Sequence, residues 1–258
     1  MSGDADVHAT VLITGSAGAI GSATVTAFLT AGLTVLGLDR SDPTCADARY
    51  HHVVTDLTEE SSISAALERL RDLPPLLHVA AIAGGALPGE PSTQDEPWMI
   101  SPELFRSSIE ANLTTQFLTV RAASPHLLAQ HGVDRSVTLM SSFNALSAQG
   151  MPAYSAAKAG LIGMMHGLVG PLGASGVRVN VVAPGTVTTP RTVALWSGDP
   201  EHFDRLRSTS ATDRLAEPVD VADAVQVLAL SLRHVTGQVL IIDGGQSLAI
   251  RPRTAREG

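Results

Sequence analysis

The chain has 258 residues, enough for one large domain with a sizeable core. Its net charge of −8 and pI near 5.5 argue against nucleic acid or an anionic membrane as the main partner. Cys45 is the only cysteine, so no intrachain disulfide forms. The N-terminus lacks the basic and apolar regions of a signal peptide, and the longest apolar stretch, 73–88, is interrupted by prolines and a histidine. A cytoplasmic protein is the expectation.

Short apolar runs at 10–14, 33–39, 51–55, 76–82, 136–141, 177–183 and 238–242 read as strands. Most lack polar alternation, as strands buried on both faces should. Between them, 19–31, 58–70, 102–130, 152–172 and 218–232 carry apolar residues at helical spacing, several opening on Pro, Thr or Ser. The alternation predicts α/β architecture: one doubly wound Rossmann-type domain with a seven-stranded parallel sheet and helices on both faces. No linker divides it, and the expected domain is 10–250, with tails at 1–9 and 251–258. Two irregular stretches stand out, 84–101 and 186–218, the second a candidate substrate loop.

The first strand runs into Gly15-Ser16-Ala17-Gly18-Ala19-Ile20-Gly21 and then a helix. Such a turn permits close approach of backbone to a pyrophosphate at a helix N-terminus. Asp39 ends the second strand eighteen residues past Gly21. A carboxylate there accepts hydrogen bonds from ribose hydroxyls and repels a 2′-phosphate, which favours NAD over NADP, with Arg40 as the complicating neighbour. Asp56-Leu57 follows the third strand; Asp56 either caps a helix or meets an adenine amino group.

Lysine occurs once, in Tyr154-Ser155-Ala156-Ala157-Lys158, while every other basic residue is arginine. Positions four apart share a helix face. A compact ammonium near a phenol favours the ionised form, which suits a tyrosine acid/base.

These motifs together resemble the single-domain branch of the short-chain dehydrogenase/reductase family. The resemblance covers nearly the whole chain. It rests on the glycine turn, Asp39, Asp56, Asn112 in Ala111-Asn112-Leu113-Thr114, Ser141-Ser142, Tyr154/Lys158, Asn180 to Gly185, Thr189-Pro190, and the closing Thr236-Gly237 and Asp243-Gly244-Gly245. It implies a nicotinamide-dependent oxidoreductase acting on a small alcohol or ketone. Tyr154 would transfer the proton, and Lys158 would hold the nicotinamide ribose and depress the tyrosine pKa. Ser142 would orient the substrate oxygen, with Ser141 the alternative, and Asn112 would hold a relay water. Pro184, Gly185, Val187 and Thr189 would lie against the nicotinamide. The family's Asn-Asn-Ala-Gly motif is matched to His78-Val79-Ala80-Ala81, making Ala80 a cofactor contact. Two departures are visible: Ala19 replaces a glycine of the turn, and both asparagines of that motif are missing. No histidine spacing suggests a metal. Gly160, Gly163, Gly167 and Gly170 form a bare stripe, read either as close packing or as the contact of a homodimer or homotetramer.

Overall fold

A computed structural model describes residues 8–43, 45–90, 96–147, 150–197, 199 and 201–248. Residues 1–7 of the expected N-terminal tail, and the whole C-terminal tail, lie outside these.

Seven strands form one parallel sheet: β1 Thr10–Thr14, β2 Thr34–Asp39, β3 Tyr50–Val54, β4 Leu76–Ala81, β5 Arg135–Met140, β6 Val177–Pro184 and β7 Val239–Ile242. Their order is β3-β2-β1-β4-β5-β6-β7. β1, β4, β5 and β6 are buried along their full length, which is why their sequences run apolar instead of alternating.

The helices are α1 Ala19–Thr30, α2 Glu60–Leu67, α3 Pro102–Ile109, α4 Thr115–Leu128, α5 Pro152–Ala174, α6 Pro190–Leu195, α7 His202–Thr209 and α8 Pro218–Leu230. The two faces of the sheet carry separate cores, and successive strand residues feed them in turn. Leu12 joins Ile63 of α2, Val120 of α4 and Met165 of α5. Val11 and Ile13 join Val25 and Phe28 of α1 and Leu228 of α8. The strand order reverses between β1 and β4. Ligands of open parallel sheets bind outside the carboxyl ends at such a switch point.

Two expectations change. The single helix expected over 102–130 is interrupted by a π turn, Glu110–Thr114, and ends at Leu128. The stretch 186–218 contains α6 and α7 rather than irregular chain. Thr189 caps α6 by accepting from Thr192 N–H at 3.1 Å. α7 is exposed and rich in charge, so it lacks the apolar spacing that marks a buried helix.

Candidate active site

The glycine turn is built from close backbone approaches. A Cβ on Gly21 would stand 1.9 Å from the Gly15 carbonyl oxygen, and one on Gly15 2.9 Å from Ala83 Cα. Gly18 is the N-cap of α1, where no side chain caps the helix and no acid stands in the first turn. That leaves the positive end of the helix open toward Ile20 and Gly21, as an anionic pyrophosphate requires. Ala19 simply begins the helix, so the shifted glycine spacing still makes a usable turn.

Asp39 is part of this turn. Its Oδ2 accepts from Ala17 N–H and its Oδ1 from Ser41 N–H, both at 3.0 Å. Arg40 lies near enough to Asp56 to help hold that carboxyl below its usual range, after the hydrogen bonds from Thr58. Asp56 closes the turn before α2 by accepting from Thr58 N–H and Oγ1, at 2.9 and 2.7 Å, while Leu57 packs against the core. Ser16 faces inward. It accepts a hydrogen bond from Tyr50 Oη at 3.1 Å, and Tyr50 also meets His52 Nδ1 at 3.1 Å. Gly37 makes room for this cluster, since a Cβ there would be 2.6 Å from the Tyr50 ring. Nothing in the local pattern announced it, because its members come from the turn, β2 and β3.

Ala80 is a correction. It lies mid-strand, paired with Ile13 and Thr138, and is 1% exposed in the core. The residues that reach the switch point come later. Ile82 and Ala83 donate to Thr14 Oγ1 at 3.2 and 3.4 Å, and Gly84 follows with φ 138°. The run Ala80-Ala81-Ile82-Ala83-Gly84 offers two registers to a motif of small residues, and geometry selects the later one.

The catalytic candidates meet beyond the ends of β4, β5 and β6. Ser141 donates to the Lys158 carbonyl at 2.7 Å and is buried there. Ser142 instead accepts from Asn144 N–H at 3.2 Å and donates to Asn144 Oδ1 at 3.3 Å, and it lies near enough to the Tyr154 phenol to favour its ionised form. The structure thus brings Ser142, not Ser141, to the phenol. Lys158 is 2% exposed; its Nζ donates to the Met140 carbonyl at 2.9 Å and stands 5.6 Å from the centre of the Tyr154 ring. An ammonium has three donors, and Met140 takes one. Burial, and then the charge of Arg191, lower the Lys158 pKa to about 7.

Tyr154 differs from the expected depression. Burial dominates and raises its pKa; the Ser142 hydrogen bond and Arg191 pull it down, and the Glu90 carboxylate pushes it up. The cation that acts on the phenol here is Arg191. It is exposed in the first turn of α6, and its guanidinium donates to the carbonyls of Gly84, at 3.4 Å, and Ala86, at 2.5 Å.

Asn112 sits in the π turn, fully buried. Its Oδ1 accepts from Gly85 N–H at 2.7 Å, and its two amide protons go to the carbonyls of Gly85, at 3.2 Å, and Ser108, at 3.1 Å. The side chain therefore has no donor left for a relay water, and it acts as a clamp on Gly84–Gly85. A Cβ on Gly84 would lie 2.6 Å from Asn112 Oδ1 and 3.2 Å from Lys158 Nζ. Pro184 ends β6, Gly185 donates to Ile242 O at 2.9 Å, and Val187 bridges to Ala216 with its side chain in the core. Among the described residues no group of three or more His, Cys, Asp or Glu could hold a metal ion, and no helix is long and apolar enough to cross a membrane.

Residues 15–247 match the family described as enoyl-(acyl carrier protein) reductase. The chain is 35% identical to an uncharacterized oxidoreductase of Schizosaccharomyces pombe over 238 residues, 91% of this chain and 89% of that one. It is 32% identical to the cis-4-hydroxycyclohexanecarboxylate dehydrogenase of Sinomonas cyclohexanicum, across 94% and 98%. A crystal structure of a short-chain oxidoreductase from Burkholderia thailandensis superposes with a TM-score of 0.83 at 35% identity, covering 95% and 94%. The chain belongs to the short-chain dehydrogenase/reductase family. It is an oxidoreductase of the hydride-transferring kind, from a family that uses nicotinamide cofactors.

Proposed function

We propose that this chain interconverts a small secondary alcohol and its ketone with NAD(H), with Tyr154 as the proton donor and acceptor. The observation that carries the reading is the Lys158 Nζ 5.6 Å from the centre of the Tyr154 ring, with Ser142 beside the phenol, at the carboxyl end of the sheet. Two neighbouring hydroxyls suit a carbinol oxygen, which donates and accepts, and a carbonyl oxygen, which accepts. The cofactor supplies the hydride chemistry. Asn144 holds Ser142 from both sides, its N–H donating to the serine oxygen and its Oδ1 accepting the serine hydrogen at 3.3 Å, a bond the hydroxyl would exchange for the substrate oxygen. Tyr154 takes the carbinol proton in oxidation and returns it in reduction. Lys158, with donors to spare, suits the nicotinamide ribose. Asn112 positions the Gly84–Gly85 segment over both.

The open N-terminus of α1 and the glycine cradle fit a dinucleotide pyrophosphate. A carboxylate held by two backbone N–H groups at the ribose end, Asp39, favours NAD. Gly160 packs on Leu113, whereas Gly163, Gly167 and Gly170 face open space. That face suits a second copy of the chain, which light scattering of the eluting protein would test.

The test of the activity is NADH formation from a panel of secondary alcohols, beside an enoyl thioester reduced with NADH. Tyr154→Phe should lower turnover by about 10²-fold or more with folding intact. Turnover within a few-fold of wild type would remove Tyr154 from the role.

A further inference from the structure

Two polar atoms on the segments that follow β4 and β5 are buried without a hydrogen-bond partner among the described residues: Oε1 of Glu90 and Nδ2 of Asn144. Glu90 is 2% exposed. Its other oxygen, Oε2, accepts from Leu87 N–H at 2.9 Å, and its own N–H donates to Leu87 O at 3.1 Å, so the turn holds the carboxylate in place. The segment leading into this turn is fixed at Gly85 by Asn112 and at Ala86 by Arg191. The Glu90 charge reaches the Tyr154 phenol and opposes its ionisation. Asn144 approaches from the turn after β5. Its Oδ1 lies 3.3 Å from the Ser142 hydroxyl, which donates to it, and the amide nitrogen is left over.

A buried carboxylate oxygen with no donor is unfavourable, and an empty amide donor adds to that. The Ser142–Tyr154 pair already accounts for the reacting oxygen. One unused atom is an acceptor and the other a donor, and a hydroxyl can pair with either. A monoalcohol would leave both unpaired.

We propose that Glu90 accepts a hydrogen bond from a second hydroxyl of the substrate, with Asn144 donating to a substrate oxygen, so that the substrate class is a diol or polyhydroxylated alcohol. This rests on the oxidoreductase reading above and narrows it. Sites built to hydrogen-bond a substrate hydroxyl discriminate strongly against analogues that lack it, because the protein group is then left unpaired.

The experiment compares kcat/KM with NAD for cyclohexanol and for each stereoisomer of cyclohexane-1,2-diol. Wild type should prefer at least one diol by about 10- to 100-fold, the range of one hydrogen bond to a charged group. Glu90→Gln keeps size and the Leu87 contact but presents a donor where Oε1 stood, and the diol-to-monoalcohol ratio should fall to within about threefold of unity. Thermal melting of the variant shows that it folds. A wild type with no diol preference, or a ratio that survives Glu90→Gln, overturns the proposal.

Binding separates this result from failure of the oxidoreductase reading. Tyr154→Phe protein with NAD is titrated with the same alcohols by thermal shift, with and without Glu90→Gln. Tighter diol binding that Glu90→Gln abolishes, together with a wild type that turns over no alcohol, keeps the hydroxyl subsite and removes the redox reading. Equal binding of diol and monoalcohol overturns the subsite whatever the turnover.

Discussion

His78 makes the stability of this fold depend on pH in a way its coordinates define. It lies on β4 in the middle of the sheet, 3% exposed, with Nδ1 3.0 Å from Ser136 Oγ. Burial lowers its pKa to about 4 from an ordinary 6.5; Asp134 opposes the shift and Arg178 adds to it. The fold therefore holds the neutral ring. Above pH 6.5 native and unfolded chains are alike at this site, and nothing is lost. Between 6.5 and 4 the unfolded chain binds a proton that the native chain refuses, so stability falls as pH falls. The gap between 6.5 and about 4, at roughly 1.36 kcal/mol per pH unit, gives a full loss of about 3 kcal/mol. By pH 5 about 2 kcal/mol is gone, which for a chain of this size lowers Tm by about 4–8 °C. The assay is thermal unfolding by circular dichroism at pH 7 and pH 5, for wild type and His78→Gln. The glutamine keeps a partner for Ser136 and does not titrate. The drop in Tm from pH 7 to pH 5 should be smaller in the variant by that amount. An equal drop in both proteins would refute the assignment of a neutral buried His78.

Three further outcomes follow from the site. Asp39→Ala should weaken NAD binding and narrow its advantage over NADP, measured as the ratio of KM values; a wild type that already prefers NADPH would show that Arg40 governs the choice. Lys158→Arg should lower kcat/KM by about 10²-fold, because the buried ammonium has Met140 O at 2.9 Å and even a Cβ on Gly84 would come within 3.2 Å of it, so a guanidinium would displace its neighbours; near-wild-type turnover would return the lone lysine to a compositional accident. Gly84→Ala should reduce activity at least as far while leaving a cooperative melt, since its Cβ would press on both Asn112 Oδ1 and Lys158 Nζ and its φ of 138° disfavours any side chain; full activity would mean that this segment moves freely away from the site.

The sheet was legible because parallel strands buried on both faces write themselves as apolar runs. Every strand was expected within a residue or so of its place. The long helix over 102–130 hid its π turn, because the turn answers a demand from far away: Asn112 must reach Gly85, twenty-seven residues distant. The helices α6 and α7 were missed for the opposite reason, being short, exposed and polar. Thr189-Pro190 was the available signal for α6, a capping residue followed by proline at the first helical position. Tyr154 and Lys158 announced themselves by composition and spacing. Choosing between Ser141 and Ser142 needed their hydrogen-bond partners. Glu90 and Arg191 had no motif at all, since their interest lies in burial and in contacts across the crevice.

The anchoring of Asp39 bears on how such a protein changes coenzyme. The carboxylate that would exclude a 2′-phosphate also staples the tip of the glycine turn, at Ala17, to the end of β2. A substitution that admits the extra phosphate by removing both oxygens also unfastens the turn that would grip the shared one. A lineage moving toward NADP, or an engineer pushing it there, would do better to pass through asparagine, which keeps an acceptor for one N–H while shedding the charge. Alanine removes both at once, so selectivity and grip would fall together.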